Sequence, residues 1–159
     1  MKKVLVVLLV AFIIIQFFPI DRENPPINKG MDFLTIKNTP ESTAGLIRNG
    51  CYDCHSNETK YPWYTNIQPV AWFLKSHIDE GRKKLNFSTF ATYEPKRQAH
   101  KLYETVEMLQ SGEMPLDSYV LGHPEAQFTT EQRNELVKYF KLMENDIRMQ
   151  NNLPPEEIK

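Results

Sequence analysis

Cys51 and Cys54 stand two residues apart and His55 follows directly, in the segment Gly50-Cys51-Tyr52-Asp53-Cys54-His55. C-x-x-C-H is the spacing that attaches a c-type haem. Each thiol adds across one vinyl group of the porphyrin, giving two thioethers on one edge of the ring. The next residue, His55, is thereby swung under the iron, where a ring nitrogen coordinates it. Covalent attachment holds such a group even in a small domain with a thin core. The pair has three other uses. A dithiol redox centre normally opens a helix within a βαβ pattern, which this chain lacks. A structural zinc needs two more ligands at close spacing, and there is no second cysteine pair. A plain Cys51–Cys54 disulfide in an oxidising compartment is the third.

A haem iron held by His55 has a sixth position, and its occupant separates an electron carrier from a ligand-binding site. The candidates are Met114, His77, His100 and His123. Met108 and Met143 sit on helical stripes and read as core filler. Met114 follows Gly112, precedes a proline and lies in a loop where no helix turn needs it, so it is the expected distal ligand. A thioether favours ferrous iron, raises the potential and closes the site. His77 is the alternative, because it stands on an apolar stripe; there it also reads as a buried histidine bonded to backbone or to a propionate. His100 reads as solvated and His123 as locking a loop before Pro124. Trp63, Trp72, Tyr64, Phe87 and Tyr119 are candidates to wall the pocket or simply to pack the core. Arg82 or Lys84 would pair with a propionate, or lie in solvent. The run Arg82-Lys83-Lys84 and the pair Glu156-Glu157 otherwise read as surface.

The elements that must position these residues read as helices. Thr39-Pro40-Glu41 looks like a helix start, with a short helix to about Asn49 that Gly50 would stop. Residues 56–68 read as loop. Pro69 opens a second helix with the stripe Val70, Phe73, Leu74, His77 and Ile78, ended by Gly81. Residues 85–92 read as an irregular turn. A third helix from Pro95 to Ser111 buries Ala99, Leu102, Tyr103, Val106 and Leu109, with Gly112 at its C-terminal cap. Thr129-Thr130-Glu131-Gln132 has capping-box spacing and begins the last helix. That helix buries Leu136, Phe140, Met143 and Ile147 and exposes Glu135, Lys138, Lys141 and Glu144. No stretch alternates like a strand, so the domain over 39–150 is expected to be all-α, about four helices around the haem. Residues 151–159 are expected to fray.

Residues 4–20 are apolar apart from Gln16, after Lys2 and Lys3. This run is expected to be an N-terminal membrane-anchor helix, slightly short of a ~30 Å hydrocarbon core, with the flanking charges reaching the interfaces. A cleaved signal peptide is the alternative, but its exit lacks small residues. In either case the basic end stays in the cytoplasm and the domain lies on the periplasmic, extracytoplasmic side of the inner membrane. Residues 21–38, with Pro25-Pro26, read as an extended linker.

The 159 residues leave room for one compact domain after the apolar run. Hydrophobic residues at 41% and charged residues at 25% exclude wholesale disorder and a multi-span membrane protein. A net charge of −1, more acidic once Lys2 and Lys3 are set aside, disfavours nucleic-acid binding.

The chain resembles c-type cytochromes, and more narrowly a small bacterial haem-binding-domain family with a single C-x-x-C-H. The resemblance is carried by Gly50 to Ser56, Pro62-Trp63-Tyr64, Pro69-Val70-Ala71-Trp72, His77, Gly81-Arg82, Leu85-Asn86-Phe87-Ser88, Met114-Pro115, Tyr119 and His123-Pro124, over about residues 40–142. It implies a cytochrome c fold, in which an N-terminal helix crosses a C-terminal one, with Gly45 against Tyr139 or Phe140. It also implies a distal sulfur from Met-Pro after a helix and a glycine. The function expected is a membrane-tethered monohaem carrier of single electrons between redox protein partners, rather than a catalyst. A haem-based sensor or ligand-binding module with an open sixth site is the alternative.

Overall fold

A computed structural model describes residues 1–156. They form helices joined by turns, with no strand among the described residues. Helix α1 spans Lys2–Ile15, α2 Phe33–Ile36, α3 Glu41–Ile47, α4 Asp53–His55, α5 Val70–Lys84, α6 Pro95–Ser111, α7 Asp117–Val120 and α8 Thr130–Gln150. The four expected helices correspond to α3, α5, α6 and α8, and short turns fill the loops between them.

Local signals set the ends of the two longest helices. α6 begins with Pro95 in its first turn, where the missing N–H costs nothing, and stops at Gly112 with φ of +80°. At α8 the Thr129 hydroxyl accepts from the Gln132 N–H while the Gln132 side chain accepts from the Thr129 N–H, a complete capping box. These helices pack along their apolar stripes: Ala99, Leu102, Val106 and Leu109 of α6 meet Leu136, Phe140 and Ile147 of α8. α3 also packs on α8, so the helix before the motif meets the last helix. The expected Gly45 contact is not the one used. Nothing lies within 4 Å of a Cβ placed on Gly45, and α3 is joined instead by Thr43 Oγ1 donating to Glu135 Oε1 at 2.9 Å.

Residues 21–38 differ from the free linker expected. Phe33 is fully buried among Phe87, Phe90 and Phe140, with ring centroids 5.0–5.8 Å apart. Asp32 caps α2 through the Leu34 N–H and accepts from the Tyr52 hydroxyl at 2.9 Å. Upstream, Asn24 donates to the Thr59 carbonyl, and the Pro26 carbonyl accepts from Asn57. The core therefore begins at Asp32, because an aromatic side chain with no helical period around it fills the gap between α8 and the 87–92 turn.

The end of the chain is tied down as far as it is described. Arg148 donates to Glu144, to the Pro154 carbonyl and to Glu156, and His100 contacts both Glu156 and Glu104. Residues 151–156 are thus held by a charged network rather than frayed, and Glu156 is part of it rather than plain surface. Glu144 is buried on account of Arg148 instead of exposed. Glu157 and the rest of the expected frayed tail lie outside the described residues.

α1 has 14 residues, none buried, and stops before Gln16. No helix among the described residues is long and apolar enough to cross a membrane. The apolar run was read to residue 20, but Gln16 turns its side chain to the backbone of Gln68 and Pro19 disfavours helix at the residue before it.

Candidate functional site

The run from Glu41 to His55 is one continuous helical path: α3, a π turn over Arg48–Tyr52, and α4. Gly50 lies inside it and does not stop it. A Cβ there would sit 2.2 Å from Cζ of Phe128, so the glycine makes room for that ring. Each residue of the motif is fixed separately. Tyr52 turns inward, stacks on Phe87 at 5.6 Å and 9°, and donates to Asp32. Asp53 turns the other way, accepting from the Lys60 N–H at 2.9 Å and the Tyr119 hydroxyl at 2.8 Å. Ser56 closes the turn by donating to the Tyr52 carbonyl. Cys51, Cys54 and His55 are left facing a cavity of about 520 Å³.

The imidazole of His55 has a defined tautomer. Its Nδ1 lies 3.1 Å from the Leu85 carbonyl oxygen, so Nδ1 carries the proton and Nε2 keeps its lone pair. Burial holds its pKa below the ordinary imidazole value, against the opposing pull of the Leu85 and Gly81 carbonyls. The ring is neutral, with one nitrogen free to ligate. Burial, followed by the nearby Cys54, pushes the Cys51 thiol up to about 12. Burial, and then Asp53, pushes Cys54 to about 11 against the pull of Arg82. Redox dithiols need the opposite shift, which argues against that use of the pair. Among the described residues no group of three or more His, Cys, Asp and Glu is arranged to hold a metal ion.

α5 packs directly on α4, and Gly81 is the point of contact. A Cβ on Gly81 would lie 2.5 Å from the Cys54 carbonyl oxygen. The helix therefore runs through Gly81 to Lys84 instead of ending there, and the glycine serves close approach. The next residue, Arg82, donates to the Ser56 carbonyl at 2.7 Å, and to Asn24 and Thr59, which commits it to the motif rather than to solvent or a propionate. Gly81→Ala gives a test by sign. Helix propensity alone favours alanine by about 1 kcal/mol, whereas the overlap with fixed backbone costs roughly 1–3 kcal/mol or more. Denaturant unfolding of Gly81→Ala is expected to show net destabilisation.

The cavity is lined by two stretches of the chain. The first holds Cys51, Cys54 and His55 with His77 and Gly81 of α5, which packs on α4, and Leu85 just after it; the second holds Thr105, Met108 and Leu109 of α6 with Met114, Pro115 and Leu116 after it. Both sequence candidates for the distal position, Met114 and His77, line it, from different stretches. His77 stands on the helix that supports His55; its Nδ1 bonds the Phe73 carbonyl at 2.8 Å and its ring packs on Phe73. His100 is engaged by Glu104 and Glu156, and His123 stacks on Tyr119 at 4.0 Å; neither lines the cavity. Of the five aromatic candidates, Phe87 and Tyr119 line it, while Trp63, Trp72 and Tyr64 do not. Lys84 and Lys101 supply cations to the lining. The contacts not foreseen in the sequence are that of the Leu85 carbonyl with His55 and the Asp53–Tyr119 pair, joined across 66 residues.

Residues 10–142 match the haem-binding domain family, and the chain belongs to it. No curated protein and no solved structure gives a significant match. Haem is thus the cofactor to which the site answers, and the residues present fit it. Two neutral thiols and a neutral imidazole with a free Nε2 line a largely apolar cavity, within the 300–1,000 Å³ usual for ligand sites.

Proposed function

We propose that this haem-binding domain is a membrane-tethered monohaem c-type cytochrome with a cytochrome c-like fold, carrying single electrons between redox protein partners. Cys51 and Cys54 form the thioethers, His55 is the proximal iron ligand and Met114 the distal one. The observation that carries this reading is the arrangement around His55: Nδ1 engaged by Leu85, and a thioether, that of Met114, lining the same cavity. A bound haem supplies a one-electron iron couple. The Leu85 carbonyl keeps the proton on Nδ1 and aims Nε2 into the cavity. Tyr52 and Asp53, held by Asp32 and Tyr119, fix the turn from which both sulfurs project. Leu109, Phe87 and Pro115 keep water from the buried side. Met114 is favoured over His77 because the helix that carries His77 packs on α4 beside His55, whereas Met114 would come to the iron from the separate loop after α6.

The apolar N-terminal run anchors the chain in the inner membrane, with Lys2 and Lys3 on the cytoplasmic side and the domain in the periplasm. The support is the composition of residues 4–20 and the lack of any buried residue in α1. Carrier and sensor are separated by carbon monoxide. The reduced, haem-loaded chain is expected to titrate as a reversible one-electron couple and to bind carbon monoxide slowly and incompletely. Rapid stoichiometric binding would identify a ligand-binding module instead.

A further inference from the structure

The stripe on α5 that the sequence assigns to the core is largely outside it. Of Val70, Phe73, Leu74, His77 and Ile78, only Ile78 is buried; Phe73 is 56% exposed. Phe73 does not stand alone. Trp63 is 75% exposed, Ile67 and Val70 are exposed beside it in the chain, and Phe17 is 78% exposed and Phe18 nearly as open. The two groups are joined at the end of α1. The Gln16 side chain pairs with both backbone groups of Gln68, at 2.9 and 3.1 Å, and the Trp72 indole N–H donates to the Phe18 carbonyl at 2.9 Å. Arg22 reaches Asn66, and Asn24 is held by Thr59 and Arg82. The exit from the apolar helix is therefore fastened to the domain at successive points, and exposed apolar side chains flank the fastening on both segments.

We infer that this surface, Phe17, Phe18, Trp63, Ile67, Val70 and Phe73, contacts lipid and seats the domain directly on the bilayer. The inference rests on the anchor proposed above. Its physical basis is length. The 14 residues of α1 rise about 21 Å, well short of a ~30 Å hydrocarbon core. A short span must thin the bilayer or draw neighbouring apolar surface into the interface. The adjoining surface is aromatic, and Trp rings prefer that interface, with an apolar body and one polar N–H. Exposed large apolar side chains on both segments joined by this fastening mark an interaction site, and the fastening to the end of the apolar helix selects lipid as the occupant. α5 then leads inward: His77, its ring 4.3 Å from that of Phe73, lines the haem cavity. Val70 and Gly81 are eleven residues apart, or roughly 17 Å of helix, so the cavity lies close above the membrane surface.

Trp63 and Trp72 are the two tryptophans of the chain, which gives a direct test. The haem-loaded full chain is labelled with fluorotryptophan, reduced and placed in phosphatidylcholine–phosphatidylglycerol nanodiscs, with Trp63→Phe assigning the fluorine signals. A nitroxide-labelled lipid is expected to broaden the Trp63 resonance several-fold more than an aqueous gadolinium chelate does. Flotation of proteoliposomes at alkaline pH reads the anchor separately. A chain that floats, with a Trp63 resonance broadened by gadolinium alone or by neither agent, overturns the lipid surface and leaves the anchor standing; the second pattern indicates a protein partner. A chain that does not float overturns both.

Discussion

Replacing Met114 by alanine in the haem-loaded chain is expected to abolish the sulfur–iron absorption band. It should lower the midpoint potential by on the order of 0.1 V or more, since axial ligands tune haem potentials over most of a volt. The same change should open the iron to carbon monoxide at rates limited by access. His77→Ala is expected to leave the band and the slow carbon monoxide kinetics in place. The contrast follows from where the two residues stand in the fold. His77 stands on α5, which packs on α4 through Gly81 and Cys54, whereas Met114 comes from the loop beyond α6. If His77→Ala alone opened the iron, the assignment of Met114 would be overturned.

The second large effect is on stability. Phe33→Ala is expected to cost about 3–5 kcal/mol, the range for emptying a buried aromatic site. Phe33 is fully buried, and its ring touches Phe87, Phe90 and Phe140 at once. Phe87 in turn stacks on Tyr52 and lines the haem cavity. The cavity left at residue 33 therefore borders the layer that supports the motif. Denaturant unfolding of the loaded chain measures the loss. A change within ±0.5 kcal/mol, as for a surface linker residue, would contradict the packing described for 32–36.

Much of this molecule is legible in its sequence, wherever a local rule decides the outcome. Pro95, Gly112 and the Thr129–Gln132 pair bound α6 and α8, and their apolar stripes identify most of the core. The C-x-x-C-H spacing names the thiols and imidazole that line the cavity, and the loop position of Met114 foretells that it lines it too. What the sequence hides is contact between distant segments. Gly50 and Gly81 look like helix stops, yet each is needed because another group, the Phe128 ring or the Cys54 carbonyl, comes too near for a Cβ. Phe33 has no periodic neighbours, so nothing local marks it as core. The Leu85 carbonyl carries no residue-type signal at all. The α5 stripe shows a different failure: helical periodicity reports an apolar face without saying what that face meets.

The account turns on covalent haem. The direct measurement is the intact mass and absorption spectrum of the full chain, matured in a host competent for c-type cytochromes and then denatured in acid and extracted with organic solvent. The 18.6 kDa chain is expected to stay coloured and to be heavier by one haem, with Cys51→Ala and Cys54→Ala together losing both the added mass and the colour. A colourless wild-type chain at its bare mass, with both thiols still titratable, would contradict it.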